Sequence, residues 1–273
     1  MKTIIVSTDF SPAALNATNY AADMAIATSA ELFLFHVYQV PVSITDVPLA
    51  LLSIDDLQKS AEQKLRHLKT ELEHITSNQV KITMEARLGN VIDELEERCK
   101  TIEPFAIIMG TTGHSGLEQV LFGSTTLTAI KHLIWPVICV PKGKEYGEGI
   151  RKIGFACDLR EVEETTPFGI ITNFVKELHA EFHILNVEPE SEAKNTTDQT
   201  ALLGTATMEV NPQFHFIKHG DIEDGINEFS EKNNLDLIIA IPKKHKLLNS
   251  FFNRSSTKQL VKQSHIPVMC IHE

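Results

Sequence analysis

The fold is indicated first by residues 105–133, FAIIMGTTGHSGLEQVLFGSTTLTAIKHL, where a glycine-rich loop joins an apolar run to a helical pattern. The apolar run at 105–109 is typical of a strand buried on both faces of a sheet. The spacing from Ser124 to Leu133 predicts a helix. A buried strand followed by a helix is part of the crossover unit of parallel sheets, so this stretch indicates an α/β fold.

The same alternation continues along the whole chain. In the first half, apolar or alternating runs predict strands at 3–7, 32–37, 80–87, 105–109 and 137–140, with helices from Pro12, at 54–75, at 91–100 and at 124–133 between them. In the second half, strands are expected near 152–157, 181–187, 213–218, 236–241 and 267–271. We therefore predict two tandem, doubly wound domains with five-stranded parallel sheets, Rossmann-like and of the HUP type.

An internal repeat supports the division into two domains. The segment PVICVP at 136–141 returns 131 residues later as PVMCIH at 267–272, and this offset aligns 100–141 with 231–272 at ten identical positions. Average composition would give about three identities by chance. The polar segment GKEYGEG at 143–149 separates the repeats, so the predicted domains are 1–143 and 150–273.

Composition argues against several classes of protein. With 25 Lys plus Arg against 36 Asp plus Glu, the net charge of −11 disfavours binding to nucleic acid or to an anionic membrane. No apolar run is long enough for a membrane span, and the four cysteines form no CxxC pair. These features are typical of a soluble cytoplasmic protein.

Polar and glycine residues follow three strands of the first half. Strand one ends in Thr8 and Asp9, strand two in Val37, and strand four in Met109, which leads into the loop with Gly110, Gly113, Gly123, Ser124 and Thr125. Glycines permit positive φ and close approach of backbone N–H groups, and the helix that Ser124 opens favours a phosphate at its N-terminus. The loop therefore predicts a backbone site for an anion.

The charges near this loop agree with that prediction. Glu118 is the only acid between Pro104 and Lys144, and no Lys or Arg lies between Phe105 and Ile130. Phosphates would therefore contact main-chain N–H and hydroxyl groups. Asp9 accepts hydrogen bonds only, which suits a ribose hydroxyl or an adenine amino group; capping of the first helix is the structural alternative.

The chain resembles the nucleotide-binding members of the universal stress protein family. The resemblance rests on TDFS at 8–11, HV at 36–37, LGN at 88–90 and the spacing G-x2-G-x9-G-S at 110–124. It implies ATP with Mg²⁺ held through the phosphates, adenine near Asp9 and Val37, and phosphates on the glycine loop. Thr8 and Met109 complete the expected site. It also implies a regulatory role in stress tolerance, with an unidentified protein partner.

The second half departs from this pattern. At the matched positions Ile241 replaces Gly110, Lys244 replaces Gly113 and Arg254 replaces Gly123. Larger side chains close the backbone approach that phosphates need, so we expect ATP in the first domain only. Lys243, Lys244, Lys246 and Arg254 are either solvated surface charges or a basic patch that binds an anion through side chains.

Two other functions stay open at this level. One is slow Mg-dependent ATP hydrolysis, for which His114 and Asp9 are the candidate groups; the other is a nucleotide-free interaction scaffold. His36 is interpreted as a structural polar group. Walker, GxGxxG and nucleophile-elbow motifs are absent from the sequence, so no dedicated catalysis is predicted.

The final strand of each half is apolar throughout and invites pairing at its edge. In the family such strands often pair, so the two halves are expected to form an intramolecular pseudo-twofold unit. Association of two whole chains through the long helix at 54–75 is a further possibility. Cys139 and Cys270 occupy equivalent places in these strands, where packing explains them better than redox chemistry.

Overall fold

The computed structural model describes residues 2–40, 53–111, 123–159, 162, 166–188, 197–242 and 254–272. We name β1–β5 with α1–α4 the first domain, and β6–β10 with α5–α8 the second domain. The strands are β1 Thr3–Ser7, β2 Glu31–Tyr38, β3 Ile82–Leu88, β4 Ala106–Gly110, β5 Val137–Val140, β6 Lys152–Ala156, β7 Glu181–Glu188, β8 Gln213–Lys218, β9 Leu237–Ala240 and β10 Val268–Cys270.

Helices alternate with these strands, as the sequence pattern predicts. They are α1 Pro12–Thr28, α2 Ile54–Ile75, α3 Val91–Ile102, α4 Ser124–His132, α5 Phe168–Leu178, α6 Thr197–Ala206, α7 Ile222–Asn233 and α8 Arg254–Gln263, with a short 3₁₀ turn at Met208–Val210. None of the described helices combines the length and the apolar composition that a membrane span requires.

Local sequence explains where the helices begin. Ser11 caps α1 by accepting a hydrogen bond from the Ala14 N–H at 3.2 Å, and Pro12 occupies the first turn. Asn90 caps α3 in the same way, through the N–H groups of Ile92 and Asp93. The leucines of α2 form one buried stripe at 65, 68 and 72, which holds this helix against the sheet.

The strand order is β3-β2-β1-β4-β5 in the first domain and β8-β7-β6-β9-β10 in the second. Within each domain all neighbouring strands are parallel. The order reverses at β1 and at β6, because β2 and β4 lie on opposite sides of β1 and β7 and β9 lie on opposite sides of β6. A reversal of this kind opens a crevice at the carboxyl ends of the strands, where ligands bind in open α/β sheets.

The two five-stranded sheets join edge to edge into one ten-stranded sheet. β5 and β10 pair antiparallel, with Met269 opposite Ile138. This confirms that the final strands pair. The domain limits 1–143 and 150–273, and any association of two whole chains, stay predictions.

The apolar core lies on both faces of this sheet. One cluster contains Ile4, Ile138 and Met269, and the opposite cluster contains Ile5, Cys139 and Cys270. Each cluster includes residues of both domains, so neither domain has a core to itself.

Candidate functional site

A cleft opens at the carboxyl ends of β1 and β4, where the strand order of the first domain reverses. Its cavity volume is about 90 Å³, and it opens to solvent. The described residues that line it come from the ends of β1, β2 and β4 and from the starts of α1, α3 and α4: Ser7, Thr8, Asp9, Ala14, Val37, Val91, Met109, Gly110, Gly123, Thr125 and Thr126.

Seven of the nine predicted site residues therefore line one cleft: Thr8, Asp9, Val37, Met109, Gly110, Gly123 and Thr125. Ser124 is the first residue of α4, between two of the lining residues. Gly113 lies outside the described residues, as does His114. Sequence reasoning missed Ser7, Ala14, Val91 and Thr126, because no motif marks them.

The turn between β1 and α1 fixes Asp9 at the mouth of the cleft. Thr8 Oγ1 accepts a hydrogen bond from the Phe10 N–H at 3.1 Å, and Asp9 Oδ1 accepts one from the Ser11 N–H at 3.0 Å. Phe10 adopts the left-handed conformation, with a φ of 62°. Ser11, and not Asp9, caps α1. The Asp9 carboxylate is exposed and lines the cleft, so helix capping does not account for it.

His36 holds the ends of β1 and β2 together. Its Nδ1–H donates to the Thr8 carbonyl oxygen at 2.7 Å, and its ring packs on Phe10 with the ring centroids 4.6 Å apart. Burial lowers the pKa of His36, which favours the neutral ring. These contacts support the structural interpretation of this side chain.

Two hydrogen bonds bring the ends of the 112–122 segment together. The Gly123 N–H donates to the Thr111 carbonyl at 2.8 Å, and Thr126 Oγ1 donates to the Gly110 carbonyl, also at 2.8 Å. Gly123 precedes α4 and supplies no side-chain cap. Because Gly123, Thr125 and Thr126 line the cleft, the start of α4 and the positive end of its dipole lie at the cleft, an arrangement that favours an anion.

Gly110 is required by packing as well as by the site. A Cβ on this residue would lie 2.7 Å from the Ala13 carbonyl oxygen, because the start of α1 approaches β4 closely. Gly110 lies within strand β4, and Gly123 has a φ of −54°. Neither of these two glycines adopts the positive φ that glycine permits, and close approach of backbone is the physical reason for Gly110.

The second domain keeps the turn after its first strand. Cys157 Sγ accepts a hydrogen bond from the Leu159 N–H at 3.4 Å, as Thr8 Oγ1 does from Phe10. Leu159 has a φ of 53°, close to that of Phe10. Asn186 Nδ2 donates to the Cys157 carbonyl at 3.0 Å, which reproduces the bond from His36.

The second domain differs where phosphates would bind. Ile241, at the position of Gly110, is 4 % exposed and belongs to the apolar cluster that also contains Leu159 and Val162. α5 spans Phe168–Leu178, and Val162, at the position that matches the start of α1, is also helical. Lys243, Lys244 and Lys246 lie outside the described residues, as does the side chain of Arg254, so the choice between solvated charges and a basic patch stays open.

The comparisons with known proteins agree with this architecture. The model of the universal stress protein family matches the chain twice, at 1–141 and 149–272. A universal stress protein of Methanocaldococcus jannaschii is 31 % identical over 147 residues, which cover 53 % of this chain and 84 % of that relative.

Solved structures show the same tandem fold. A universal stress protein from Archaeoglobus fulgidus superposes with a TM-score of 0.73 at 17 % identity, covering 99 % of this chain and 98 % of the other. A putative universal stress protein from Pseudomonas aeruginosa superposes with a TM-score of 0.65 at 12 % identity, covering 99 % and 93 %. Two family matches along one chain, together with the tandem doubly wound fold, establish that this chain belongs to the universal stress protein family.

Proposed function

We propose that the first domain binds ATP and that the protein acts as a nucleotide-responsive regulator in stress tolerance. One observation carries the proposal: a single cleft is lined by an exposed carboxylate, Asp9, and by the N-terminus of α4, where the N-cap residue Gly123 has no side chain to occupy the first N–H groups. The carboxylate accepts hydrogen bonds from a ribose hydroxyl or an adenine amino group. The helix terminus receives the phosphates.

The lining suits phosphates held by neutral donors. None of the described lining residues is Lys or Arg, and Thr125, whose hydroxyl can donate, is the second residue of α4. A chain of net charge −11 attracts anions poorly over long distances, so such a site depends on short, preorganised contacts.

Mg²⁺ fits this site as a companion of the phosphates. Within the described part of the chain, no group of three or more His, Cys, Asp or Glu side chains is arranged to hold a metal ion. The triphosphate would therefore supply most of the ligands, with water completing the shell. When bound, the ion neutralises phosphate charge and lessens repulsion from Asp9.

We further propose that the second domain does not bind ATP in this way. Ile241 places a buried branched side chain where the first domain has Gly110. Hydrolysis is not part of the proposal: among the described lining residues Asp9 is the one titratable side chain, and we assign it to the nucleoside end of the cleft.

The two halves of the chain provide a matched test. Mg-ATP is titrated calorimetrically into the full chain, into Asp9→Ala and into Asp158→Ala, which alters the equivalent residue of the second domain. A lost hydrogen bond to a charged group corresponds to roughly a 10–100-fold loss of affinity. We expect that loss for Asp9→Ala and a change within about twofold for Asp158→Ala.

A second variant tests the phosphate end of the same cleft. Gly123→Arg introduces at α4 the residue that the second domain carries at the matched position, and should abolish measurable Mg-ATP binding. A thermal melt checks that the variant is folded. Equal losses in Asp9→Ala and Asp158→Ala, or full affinity in folded Gly123→Arg, would refute the assignment of the site.

A further inference from the structure

A second cavity lies beside α1 and shares no described lining residue with the cleft of the first domain. Side chains of α1, including Tyr20 and Asp23, form one wall, and residues 144–149 between the domains form another. We name it the linker cavity. Its volume is about 670 Å³, and it opens to solvent. Sites for small molecules typically have volumes of about 300–1,000 Å³, so the linker cavity has room for one.

The wall that the linker contributes is held in place by backbone hydrogen bonds. Asn16 Nδ2 donates to the carbonyl oxygens of Pro141 at 3.2 Å and Lys144 at 3.1 Å. Two turns shape the segment: the Lys144 N–H donates to the Pro141 carbonyl, and the Gly149 N–H donates to the Tyr146 carbonyl, both at 3.1 Å. A wall that is already ordered lowers the entropic cost of binding a ligand.

The linker cavity carries negative charge that its own residues do not neutralise. Three carboxylates line it, Asp23, Glu145 and Glu148, and Lys144 is the one basic residue among the described lining. Glu148 pairs with Arg151 at 2.8 Å, whereas neither Asp23 nor Glu145 forms an ion pair with a described residue. Partial burial, and then the charge of Glu145, raise the pKa of Asp23, as two like charges without a counter-ion should. A cation would neutralise this pair.

The hydroxyl of Tyr20 independently indicates a ligand. Tyr20 lines the cavity and is only 2 % exposed, yet its hydroxyl makes no hydrogen bond with any described residue. A buried tyrosine hydroxyl usually has a partner, and its oxygen can accept a hydrogen bond from an N–H group. The ring of Tyr146 packs edge-on against Tyr20, with centroids 5.1 Å apart, and also lines the cavity. Aromatic rings of this kind attract organic cations.

The lining favours an elongated organic cation over a metal ion. Across the residues that the structure describes, no group of three or more His, Cys, Asp or Glu side chains is arranged to hold a metal. Ile26 and Ile75 line the same cavity and are 40 % and 61 % exposed. Apolar surface of this kind gains by covering an alkyl chain, which a metal ion does not have.

We propose that the linker cavity binds a linear aliphatic diamine, with its ammonium groups at Asp23 and Glu145 and its alkyl chain against the two isoleucines. The ammonium groups supply the counter-ions that the carboxylates lack, and the oxygen of Tyr20 accepts a hydrogen bond from one of them. The net charge of −11 attracts cations over long distances. This site is separate from the proposed ATP site, because the two share no described lining residue.

The probe is 1,4-diaminobutane, titrated calorimetrically into the full-length protein without added nucleotide. We expect saturable heat with one site per chain. 1-Aminobutane has the same carbon chain with a single charge, so one carboxylate would keep no counter-ion, and it should bind at least about tenfold more weakly. Mg²⁺ at the same concentration should not displace the diamine.

A matched pair of variants locates the binding, because Asp23→Asn and Glu96→Gln each remove one negative charge. Glu96 lies on α3, which packs on the opposite face of the sheet from α1. Asp23→Asn should weaken diamine binding at least about tenfold, whereas Glu96→Gln should leave it within about twofold. Thermal melts check that both variants are folded. Absence of saturable heat, equal effects of the two variants, or displacement of the diamine by equimolar Mg²⁺ would overturn the proposal.

Discussion

At the scale of single residues, Gly110 both packs against the start of α1 and lines the proposed phosphate site, and its substitution by Ala tests the packing. We expect Gly110→Ala to destabilise the fold, because its Cβ would lie 2.7 Å from the Ala13 carbonyl oxygen. Relieving this contact requires the backbone of β4 or of α1 to move. Overpacking of this kind costs about 1–3 kcal/mol. Urea unfolding of the full chain measures this loss in the free energy of unfolding.

Gly204→Ala is the control for this prediction. A Cβ at Gly204, in α6, would meet the Phe214 ring at 3.7 Å, which is ordinary contact. Because alanine is also the better helix former, this variant should be neutral or slightly stabilised. If Gly110→Ala is as stable as the wild-type chain, the close approach of α1 to β4 is wrong.

Residue identities in the candidate site were predictable where they follow a strand or open a helix. Ser11 and Pro12 mark the start of α1, and Asp9 follows β1 directly. The packing function of Gly110 was not predictable, since Ala13 is distant in sequence.

Sequence reasoning also missed that Cys139 and Cys270 come together across β5 and β10, because these two residues are distant in sequence. There, burial and the hydrogen bond to Cys270 raise the pKa of Cys139, which supports packing over redox chemistry.

At the scale of helices and strands, the types of element were predictable and their ends less so. The leucine spacing of α2 predicts a helix at 54–75, and the helix in the structure has the same bounds, with Ser53 as its N-cap. β2 continues to Tyr38, beyond its predicted end, because Tyr38 pairs with Leu88 of β3. Such pairing depends on the neighbouring strand and not on local sequence. The start of α5 was unclear from sequence; in the structure Pro167 stands at its N-cap.

A pair of histidines joins β7 and β8 in the second domain. His183 Nδ1 lies 3.0 Å from His215 Nε2, Glu181 lies 3.5 Å from His183 Nε2, and Phe229 packs on the His215 ring. Burial lowers the pKa of both histidines; the charge of Lys152 lowers that of His183 further, while Glu181 opposes this. The folded state therefore favours neutral rings.

The direction of the pH effect follows from this. Below the ordinary histidine pKa of about 6.5, the unfolded chain binds more protons at these two sites than the folded chain does. Their contribution to the free energy of unfolding should therefore be full above about pH 6.5 and fall as the pH drops below it. Urea unfolding at several pH values measures how the free energy of unfolding changes over this range.

Two variants test whether the pair is responsible. His215→Phe should flatten this part of the pH profile, because it removes one of the two titrating rings and leaves His183 without its imidazole neighbour. His67→Gln, at a side chain that is 78 % exposed on α2, should leave the profile unchanged. A profile that His67→Gln changes as much as His215→Phe would show that the pair is not the source.

At the scale of the whole molecule, one sheet of ten strands makes the two domains depend on each other. The pairing of β5 with β10 and the two shared apolar clusters join them. The internal repeat predicted two domains, and the apolar final strands predicted their edge pairing. The shared cores were not predictable, since they arise from contacts between the repeats.

The central claim is an asymmetry between two domains of one fold: among the described residues the first domain has Gly110 and the glycine-capped start of α4 at its cleft, and the second has the buried side chain of Ile241 at the position of Gly110. A crystal structure of the full chain grown with excess Mg-ATP tests it most directly. The account predicts one nucleotide per chain, its phosphates at the start of α4 and its adenosine beside Asp9. An empty first-domain cleft, or a nucleotide bound beside Asp158 in the second domain, would contradict it.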